Sequence, residues 1–285
     1  MRARRLILRL AVVAALILTA LAINTGRNVA GWVPLAETPD QRRAELAPAW
    51  RLVRPARPGP WPVAVLLSGC DGVQDNMDRW ARFFAAQGRA ALIVNSHRPR
   101  GLDRRQAWRA VCAGQVLTGG ERAGDLAVAV AALENMGLRG DDVIVLGASH
   151  GGWTAMELMA QLADGDPPPG LTAWPEPPAQ LAARISRLVL LYPYCGFASR
   201  AGGDWPAGVH GLMILAEEDR IVDPDACRAM AGQGLPLDVH ILAGADHGFD
   251  QRSRSVLSPL RFNAAATAQA EALIGAFASP PQAGL

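Results

Sequence analysis

The sequence contains no lysine, so arginine carries all of its permanent positive side-chain charge. Charged residues of both signs make up only 19% of the 285 residues, and the formal net charge is +2. A balance this close to zero gives no reason to expect nucleic acid as a partner. None of the four cysteines belongs to a C-x-x-C pair, which argues against a structural zinc site. The sequence also lacks internal repeats.

Apolar material, by contrast, is abundant, because half of the residues are hydrophobic. This is enough to bury a large core. Without the unusual N-terminus, about 240 to 260 residues remain, which suits one large α/β domain better than two small ones.

The first 23 residues differ from the rest of the chain. Arginines precede an uncharged apolar run from Leu10 to Ile23, as in a secretory signal, and Ala20-Leu21-Ala22 is a small-x-small cleavage site. The run is short for a membrane span of about 20 residues, but including Leu6 to Leu8 lengthens it enough for an uncleaved membrane anchor. We therefore predict a signal peptide or signal anchor at residues 1–23. The main domain is then exported, periplasmic or secreted, or anchored to the membrane.

The four cysteines also bear on whether the protein is exported, as the N-terminal segment predicts. An even number of cysteines in an exported protein permits two disulfides. We predict the pairs Cys70–Cys112 and Cys195–Cys227, because Cys195 and Cys227 follow successive predicted strands. Four buried free thiols are the alternative.

Residues 24–49 contain three prolines and no strong periodicity, which predicts a linker or N-terminal arm before a globular domain at residues 50–285. In that domain, short apolar runs predict strands at Val63–Leu67, Ala91–Asn95, Val143–Leu146, Leu188–Tyr192, Leu212–Leu215 and Val239–Leu242. Helical patterns lie between and after them, at Met77–Gln87, Arg122–Met136, Ser149–Leu162, Pro224–Gly232 and Pro259–Phe277. This alternation predicts an α/β fold, a mostly parallel sheet with helices on both faces. A ligand then binds beyond the carboxyl ends of the strands.

An irregular insertion follows the third predicted helix. Residues 164–180 contain six prolines and Trp174. The segment is a candidate lid or substrate wall, and an ordinary solvent-exposed loop is the alternative.

The motif Gly147-Ala148-Ser149-His150-Gly151 stands between a predicted strand and a predicted helix. A G-x-S-x-G turn in this context exposes its serine at the top of the sheet, and the two glycines let strand and helix pass closely. The helix N-terminus adds positive potential there. Ser149 is therefore the candidate nucleophile, and the alternative is a serine that caps an ordinary helix.

A serine nucleophile needs a base, and five histidines are present. His247 lies in a loop after the last predicted strand, which is the expected third place in a Ser…Asp…His order. The candidate acid, Asp219, follows the strand before the last one, Leu212–Leu215, and would orient His247. Asp223 is the alternative, because Asp223-Pro224 also resembles a helix N-cap. The other histidines are predicted to point away (His150), to be structural (His210, His240) or to line the cleft (His97).

An oxyanion would need backbone donors near Ser149. We predict the N–H groups of His150, directly after the nucleophile, and of Cys70, in the loop after the first predicted strand of the domain.

Several separated motifs together resemble the dienelactone hydrolase family of α/β-hydrolases over roughly residues 62–277. They are Leu67-Ser68-Gly69-Cys70-Asp71-Gly72, Trp80-Ala81-Arg82, Asn95-Ser96-His97-Arg98-Pro99-Arg100-Gly101, the Ser149 turn, Leu191-Tyr192-Pro193-Tyr194-Cys195, Glu218-Asp219 and Asp246-His247-Gly248-Phe249. The resemblance implies an α/β-hydrolase catalytic domain that cleaves carboxylic esters with Ser149, Asp219 and His247, without a metal or an organic cofactor. The family's namesakes carry cysteine as nucleophile, so serine here favours a general esterase over a lactone hydrolase.

The expected partner is a small-molecule ester, while the oligomeric state is left undetermined. Arg98, Arg100 and His97 are candidate substrate-binding residues, because an arginine near the cleft can bind a substrate carboxylate. A surface or structural role is the alternative for the arginines. An acyltransferase or a peptidase could use the same triad, and a non-catalytic envelope binding module is the alternative outside enzymes.

Overall fold

The computed structural model describes residues 2–254 and 258–279. Within these ranges, seven strands form one sheet in the order β1-β3-β2-β4-β5-β6-β7. The strands are β1 (Arg51–Val53), β2 (Val63–Leu67), β3 (Ala90–Val94), β4 (Val143–Ala148), β5 (Ile185–Leu191), β6 (His210–Ala216) and β7 (Leu237–Leu242). Strand β1 pairs antiparallel with β3, and the other neighbouring pairs are parallel. The predicted mostly parallel sheet is confirmed.

Helices precede, connect and follow these strands. In the described ranges they are α1 (Arg2–Val29), α2 (Pro39–Leu46), α3 (Asp75–Ala86), α4 (Arg104–Ala110), α5 (Gly119–Ala131), α6 (His150–Asp164), α7 (Pro178–Arg184), α8 (Pro224–Ala231) and α9 (Ala264–Ala278). The last helix begins at Ala264 rather than at the predicted Pro259, because the Asn263 side chain caps it by accepting from the Ala266 N–H.

The two faces of the sheet bury separate layers of side chains, because successive residues of a strand point to opposite faces. Helices α3 and α9 cover one face with residues such as Trp80 and Ile274. Helices α5 and α6 cover the other with residues such as Leu126 and Met156. Strands β2, β3 and β4 are therefore buried along their whole length, which explains why they are uniformly apolar in sequence.

The predicted linker or arm at residues 24–49 contains structure that the sequence pattern did not indicate. Helix α2 begins with a capping box in which Thr38 and Gln41 satisfy each other's backbone N–H groups. Its Arg42 is buried, and Arg42 Nη1 donates to Asp125 Oδ1 of α5 over 2.8 Å. The helix shows little apolar periodicity because its buried residues are Arg42 and Leu46.

The insertion at residues 164–180 packs against that arm. Glu37 forms a bridge with Leu171, and the buried Leu171 side chain lies over Gly124, where an added Cβ would approach it to 3.1 Å. None of the residues of the insertion lines the cavity described below. We therefore infer that this segment packs against and supports the N-terminal arm, and that it is not a lid over the cavity.

Helix α1 extends six residues beyond the predicted end of the N-terminal segment, to Val29 instead of Ile23. The residues from Ala3 to Ile23 are exposed, and the helix is long and apolar enough to cross a membrane. A signal sequence has the same character. Its last turns are held against the domain, where Asn24 Nδ2 donates to the Gln115 backbone oxygen over 2.7 Å.

Both predicted disulfides, Cys70–Cys112 and Cys195–Cys227, are present. The first joins the loop after β2 to the segment after α4. The second joins the segment after β5 to α8.

Candidate active site

Ser149 lies at the sharp turn between β4 and α6, as predicted. Its backbone has φ +52° and ψ −116°, a strained conformation for a residue with a side chain. The flanking glycines are required by close packing. A Cβ on Gly147 would lie 2.3 Å from the Gly151 carbonyl oxygen, and one on Gly151 would lie 2.3 Å from the Leu67 carbonyl oxygen. The motif therefore holds the hydroxyl at the carboxyl edge of the sheet.

His247 and Asp219 complete a hydrogen-bonded chain with this serine. His247 Nε2 lies 2.9 Å from Ser149 Oγ, and His247 Nδ1 lies 2.7 Å from Asp219 Oδ2. With Nδ1–H donating to the carboxylate, Nε2 is the ring nitrogen that can accept from the serine hydroxyl. Both the His247 and the Asp219 side chains are almost fully buried. The arrangement can remove a proton from Ser149 and stabilise the resulting imidazolium.

The Asp219 carboxylate is fixed from its other side. Oδ1 accepts from the N–H groups of Ile221, over 2.9 Å, and Val222, over 2.8 Å. Asp223, the alternative acid, is exposed and caps α8 by accepting from the Asp225 N–H over 2.9 Å. The structure therefore brings Asp219 to the histidine and uses Asp223 as a helix cap.

A buried polar cluster of Tyr192, Asp250 and Trp80 packs against the His247 ring. The Tyr192 ring packs edge-on against the imidazole at 4.7 Å between centroids. The Tyr192 hydroxyl donates to Asp250, which also accepts from Trp80 Nε1 over 2.6 Å. Burial, and then the nearby Asp250 carboxylate, raise the pKa of Tyr192 well above its usual value, so its hydroxyl keeps its proton. Sequence reasoning missed this support, because its residues are far apart in the chain.

The two predicted oxyanion donors, Cys70 and His150, both line the cavity beside Ser149. The loop that carries Cys70 is close, since a Cβ on Gly69 would lie 3.7 Å from Ser149 Cβ. Within residues 2–254 and 258–279, neither backbone N–H donates to a protein acceptor. Both groups are thus free to bind an oxygen atom of a substrate.

Arg122 of α5 connects the segments that carry these donors. It is fully buried, and its Nη1 donates to the Ser68 carbonyl oxygen over 2.7 Å and to His150 Nδ1 over 3.3 Å. Burial lowers the pKa of Arg122 to about 10, so it stays charged at neutral pH. Sequence reasoning missed this residue as well, because a single arginine in a helix carries no motif.

The three predicted substrate-binding residues do not enter the cavity. Arg100 makes a bidentate ion pair with Asp125, in which Nη1 donates to Oδ2 over 2.8 Å and Nη2 donates to Oδ1 over 2.9 Å. Arg98 is exposed. His97 is buried, and its Nε2–H donates to the Cys70 carbonyl oxygen over 3.1 Å, behind the candidate oxyanion loop. This is a correction to the sequence-based expectation that these side chains line the cleft.

The site opens into a cavity of about 320 Å³. Most of the side chains around it are apolar or aromatic, among them Trp108, Val111, Trp153, Phe197 and Ile221. This is a surface suited to an acyl or alkyl group. Across the described part of the chain, no group of three or more His, Cys, Asp or Glu side chains is placed to hold a metal ion.

Two histidines near the site lead to a prediction about acid stability. Burial, followed by the charge of Arg122, lowers the pKa of His97 to about 3 and that of His150 well below its usual value. The unfolded chain binds protons at these positions below about pH 6.5, whereas the folded chain does not, so stability falls as the pH falls from there. Together they should remove about 3 kcal/mol of unfolding free energy between about pH 6.5 and pH 5.

Urea unfolding across this pH range measures the effect. His97→Gln should lessen the loss of unfolding free energy over this pH range by about 1.5 kcal/mol, because glutamine can still donate to Cys70 but does not titrate. The matched control is His240→Gln, at an exposed histidine of β7, which should leave the pH dependence as it is. Equal pH dependence in the two variants would contradict the prediction.

The fold and the order of the site residues define the α/β-hydrolase class of architecture. The turn with Ser149 follows β4, Asp219 follows β6 and His247 follows β7, at one edge of a mostly parallel sheet.

Solved structures share this fold. A dienelactone hydrolase-like promiscuous phosphotriesterase from metagenomic libraries matches with a TM-score of 0.62 and 20% identity, over 80% of this chain and 90% of its own. A protein described as a dienelactone hydrolase from Klebsiella pneumoniae matches with a TM-score of 0.62 and 14% identity, over 80% and 91%. Propionate-bound esterase 2 of Thermogutta terrifontis matches with a TM-score of 0.56 and 15% identity, over 80% and 87%. No protein-family model and no curated protein matches the sequence. The chain therefore has the α/β-hydrolase fold of dienelactone hydrolase-like proteins.

Proposed function

We propose that this protein is a serine hydrolase of carboxylic esters, related to the dienelactone hydrolases. The observation that carries the proposal is the hydrogen-bonded chain from Asp219 through His247 to Ser149, at the wall of an apolar cavity. The solved structures with the same fold include an esterase and a promiscuous phosphotriesterase, which supports an ester substrate.

The reaction has two halves. Ser149 Oγ attacks the ester carbonyl carbon while its proton passes to His247 Nε2, and the negative oxygen is held by the N–H groups of Cys70 and His150. The alcohol leaves with the proton from His247, which gives an acyl-enzyme. Water then loses a proton to His247 and attacks the acyl carbon, and the acid leaves as Ser149 regains its proton.

The N-terminal helix and the two disulfides support an exported location, because disulfides persist in oxidising compartments. We propose that the catalytic domain acts on the outer side of the cytoplasmic membrane. Helix α1 continues without a break through Ala20-Leu21-Ala22 as far as Val29, and we propose that it serves as a membrane anchor.

A fluorophosphonate probe tests the proposal, since it reacts covalently with an activated serine. The wild-type protein should be labelled at Ser149 and should hydrolyse p-nitrophenyl acetate. Ser149→Ala should abolish labelling and lower kcat by at least about 10³-fold. The matched control is Ser279→Ala, at an exposed serine directly after α9, which should keep both properties. Wild-type turnover in Ser149→Ala would refute the assignment.

A further inference from the structure

Part of the cavity wall comes from α1, the helix that is long and apolar enough to cross a membrane. Thr25 and Val29 line the cavity together with residues of the catalytic domain. Gln115 holds this end of the helix in place. Its backbone oxygen accepts from Asn24, and its Nε2 donates to Thr25 Oγ1 over 2.7 Å. The cavity mouth and the end of α1 therefore form one unit.

The length of α1 determines where the cavity mouth would lie relative to the hydrocarbon of a bilayer. A helix crosses about 30 Å of hydrocarbon with about 20 residues. Counting about twenty residues back from Thr25 reaches Leu6, and Arg9 lies about 5 Å inside that boundary, where its side chain can reach the headgroups. Arg4 and Arg5 favour the cytoplasmic side of the membrane for the N-terminal end of α1. Thr25, a wall residue of the cavity, then stands at the outer boundary of the hydrocarbon.

The rim of the cavity is apolar and exposed. Phe197 and Ile221 line the cavity, yet their side chains are 88% and 44% exposed. Trp32 is also exposed and follows the end of α1, and tryptophan is enriched at membrane interfaces. The exposed Arg200 donates from Nη2 to the Val29 carbonyl oxygen, which places a cation beside the rim. An apolar rim flanked by positive charge complements a bilayer with anionic headgroups.

We propose that the substrate is an amphiphilic acyl ester held in the outer leaflet, whose acyl chain enters past Val29, Phe197 and Ile221. This inference rests on the proposed ester hydrolysis by Ser149. The ester bond of such a lipid lies between headgroup and hydrocarbon, the level at which α1 places Thr25. Ser149 takes the acyl group, the headgroup alcohol leaves with the proton from His247, and water releases a fatty acid.

The test uses the full chain in vesicles of phosphatidylcholine and phosphatidylglycerol. Two esters release the same alcohol, p-nitrophenyl palmitate dissolved in the bilayer and p-nitrophenyl acetate dissolved in water. We expect the wild-type protein to hydrolyse both. Phe197→Ser and Ile221→Ser should each lower the ratio of kcat/KM for palmitate to that for acetate by about tenfold, because each removes apolar contact with the chain. Phe197 is so exposed that its replacement removes no core packing.

The matched control is Ile241→Ser. Ile241 is also 44% exposed but lies on β7. It should leave the ratio within about twofold of wild type, as is usual for exposed positions.

The outcomes separate this inference from the proposed function. An unchanged ratio in both rim variants overturns the inference. Hydrolysis of acetate without hydrolysis of palmitate also overturns it, while the proposed ester hydrolysis stands. Isolation of a membrane-free chain that begins at Ile23 overturns the placement of the mouth at the bilayer. Absence of both activities together with absence of fluorophosphonate labelling removes the proposed function itself.

Discussion

Asp219→Asn is expected to lower kcat for p-nitrophenyl acetate by about 10⁴-fold while the protein stays folded. The physical reason is the orientation of the new amide. Asp219 Oδ1 accepts from the N–H groups of Ile221 and Val222, so the amide oxygen of asparagine will keep that position. Its NH₂ group then faces His247 Nδ1, which must accept, and the ring carries its proton on Nε2. Ser149 is left without a base.

The matched control for this variant is Asp223→Asn. Asp223 lies four residues later, is exposed and caps α8, and asparagine is an equally good helix cap. It should keep kcat within about twofold of wild type, as is usual for exposed positions. Thermal unfolding of both variants verifies that the fold is intact. If Asp219→Asn lost less than about tenfold in kcat, the role of Asp219 as the orienting acid would be wrong.

The largest effect on stability is expected from Asp125→Asn, at about 3 to 5 kcal/mol of unfolding free energy. Asp125 is fully buried and accepts from Arg42 and from both Nη atoms of Arg100. Burial alone would raise its pKa, yet the Arg100 and Arg42 guanidinium groups hold the pKa of Asp125 below its usual value. Without the carboxylate, Arg100 loses its bidentate partner, Arg42 keeps Glu37 as its counter-charge, and the ion pair between α2 and α5 is lost.

Urea unfolding at neutral pH measures this loss. Asp141→Asn is the control, because Asp141 also pairs with an arginine, Arg139, but on the exposed surface. Surface ion pairs contribute little, so the control should change the unfolding free energy by less than about 1 kcal/mol. If both variants lost a similar amount of unfolding free energy, the prediction that burial makes the Asp125 ion pairs more important for stability than a surface pair would be wrong.

The sheet was largely predictable because its signal is local. Strand β2 has the predicted bounds, and the other five predicted strands lie within three residues of theirs. Burial on both faces leaves uniformly apolar runs, which need no knowledge of the partner strand. Strand β1 was missed because it has three residues, is only partly buried and pairs only with β3 among the described strands. Helix α2 was missed because Arg42 and Leu46 are the buried members of its eight residues, so it presents no apolar stripe.

Assignment of the arginines and His97 failed for a related reason. The sequence places His97, Arg98 and Arg100 after β3, at the edge of the sheet where ligands bind. It does not reveal that Asp125, on a later helix, pairs with Arg100. Neither does it reveal that His97 turns inward to the Cys70 carbonyl oxygen. The orientation of a charged side chain depends on where its counter-charge lies, and that position depends on how elements distant in the sequence pack together.

The sequence by itself determined the α/β alternation, the Ser149 turn and the positions of Ser149, Asp219 and His247 after successive strands, because each depends on a few neighbouring residues. The tertiary structure alone decided which acid meets His247, which buried arginine lies behind the candidate oxyanion donors, and what forms the cavity wall. Thr25 and Val29 reach that wall because their end of α1 is held by hydrogen bonds of Asn24, Thr25 and Asn28 with Gln115, some ninety residues away in the chain. Such contacts depend on the closure of long loops, so no local pattern in the sequence records them.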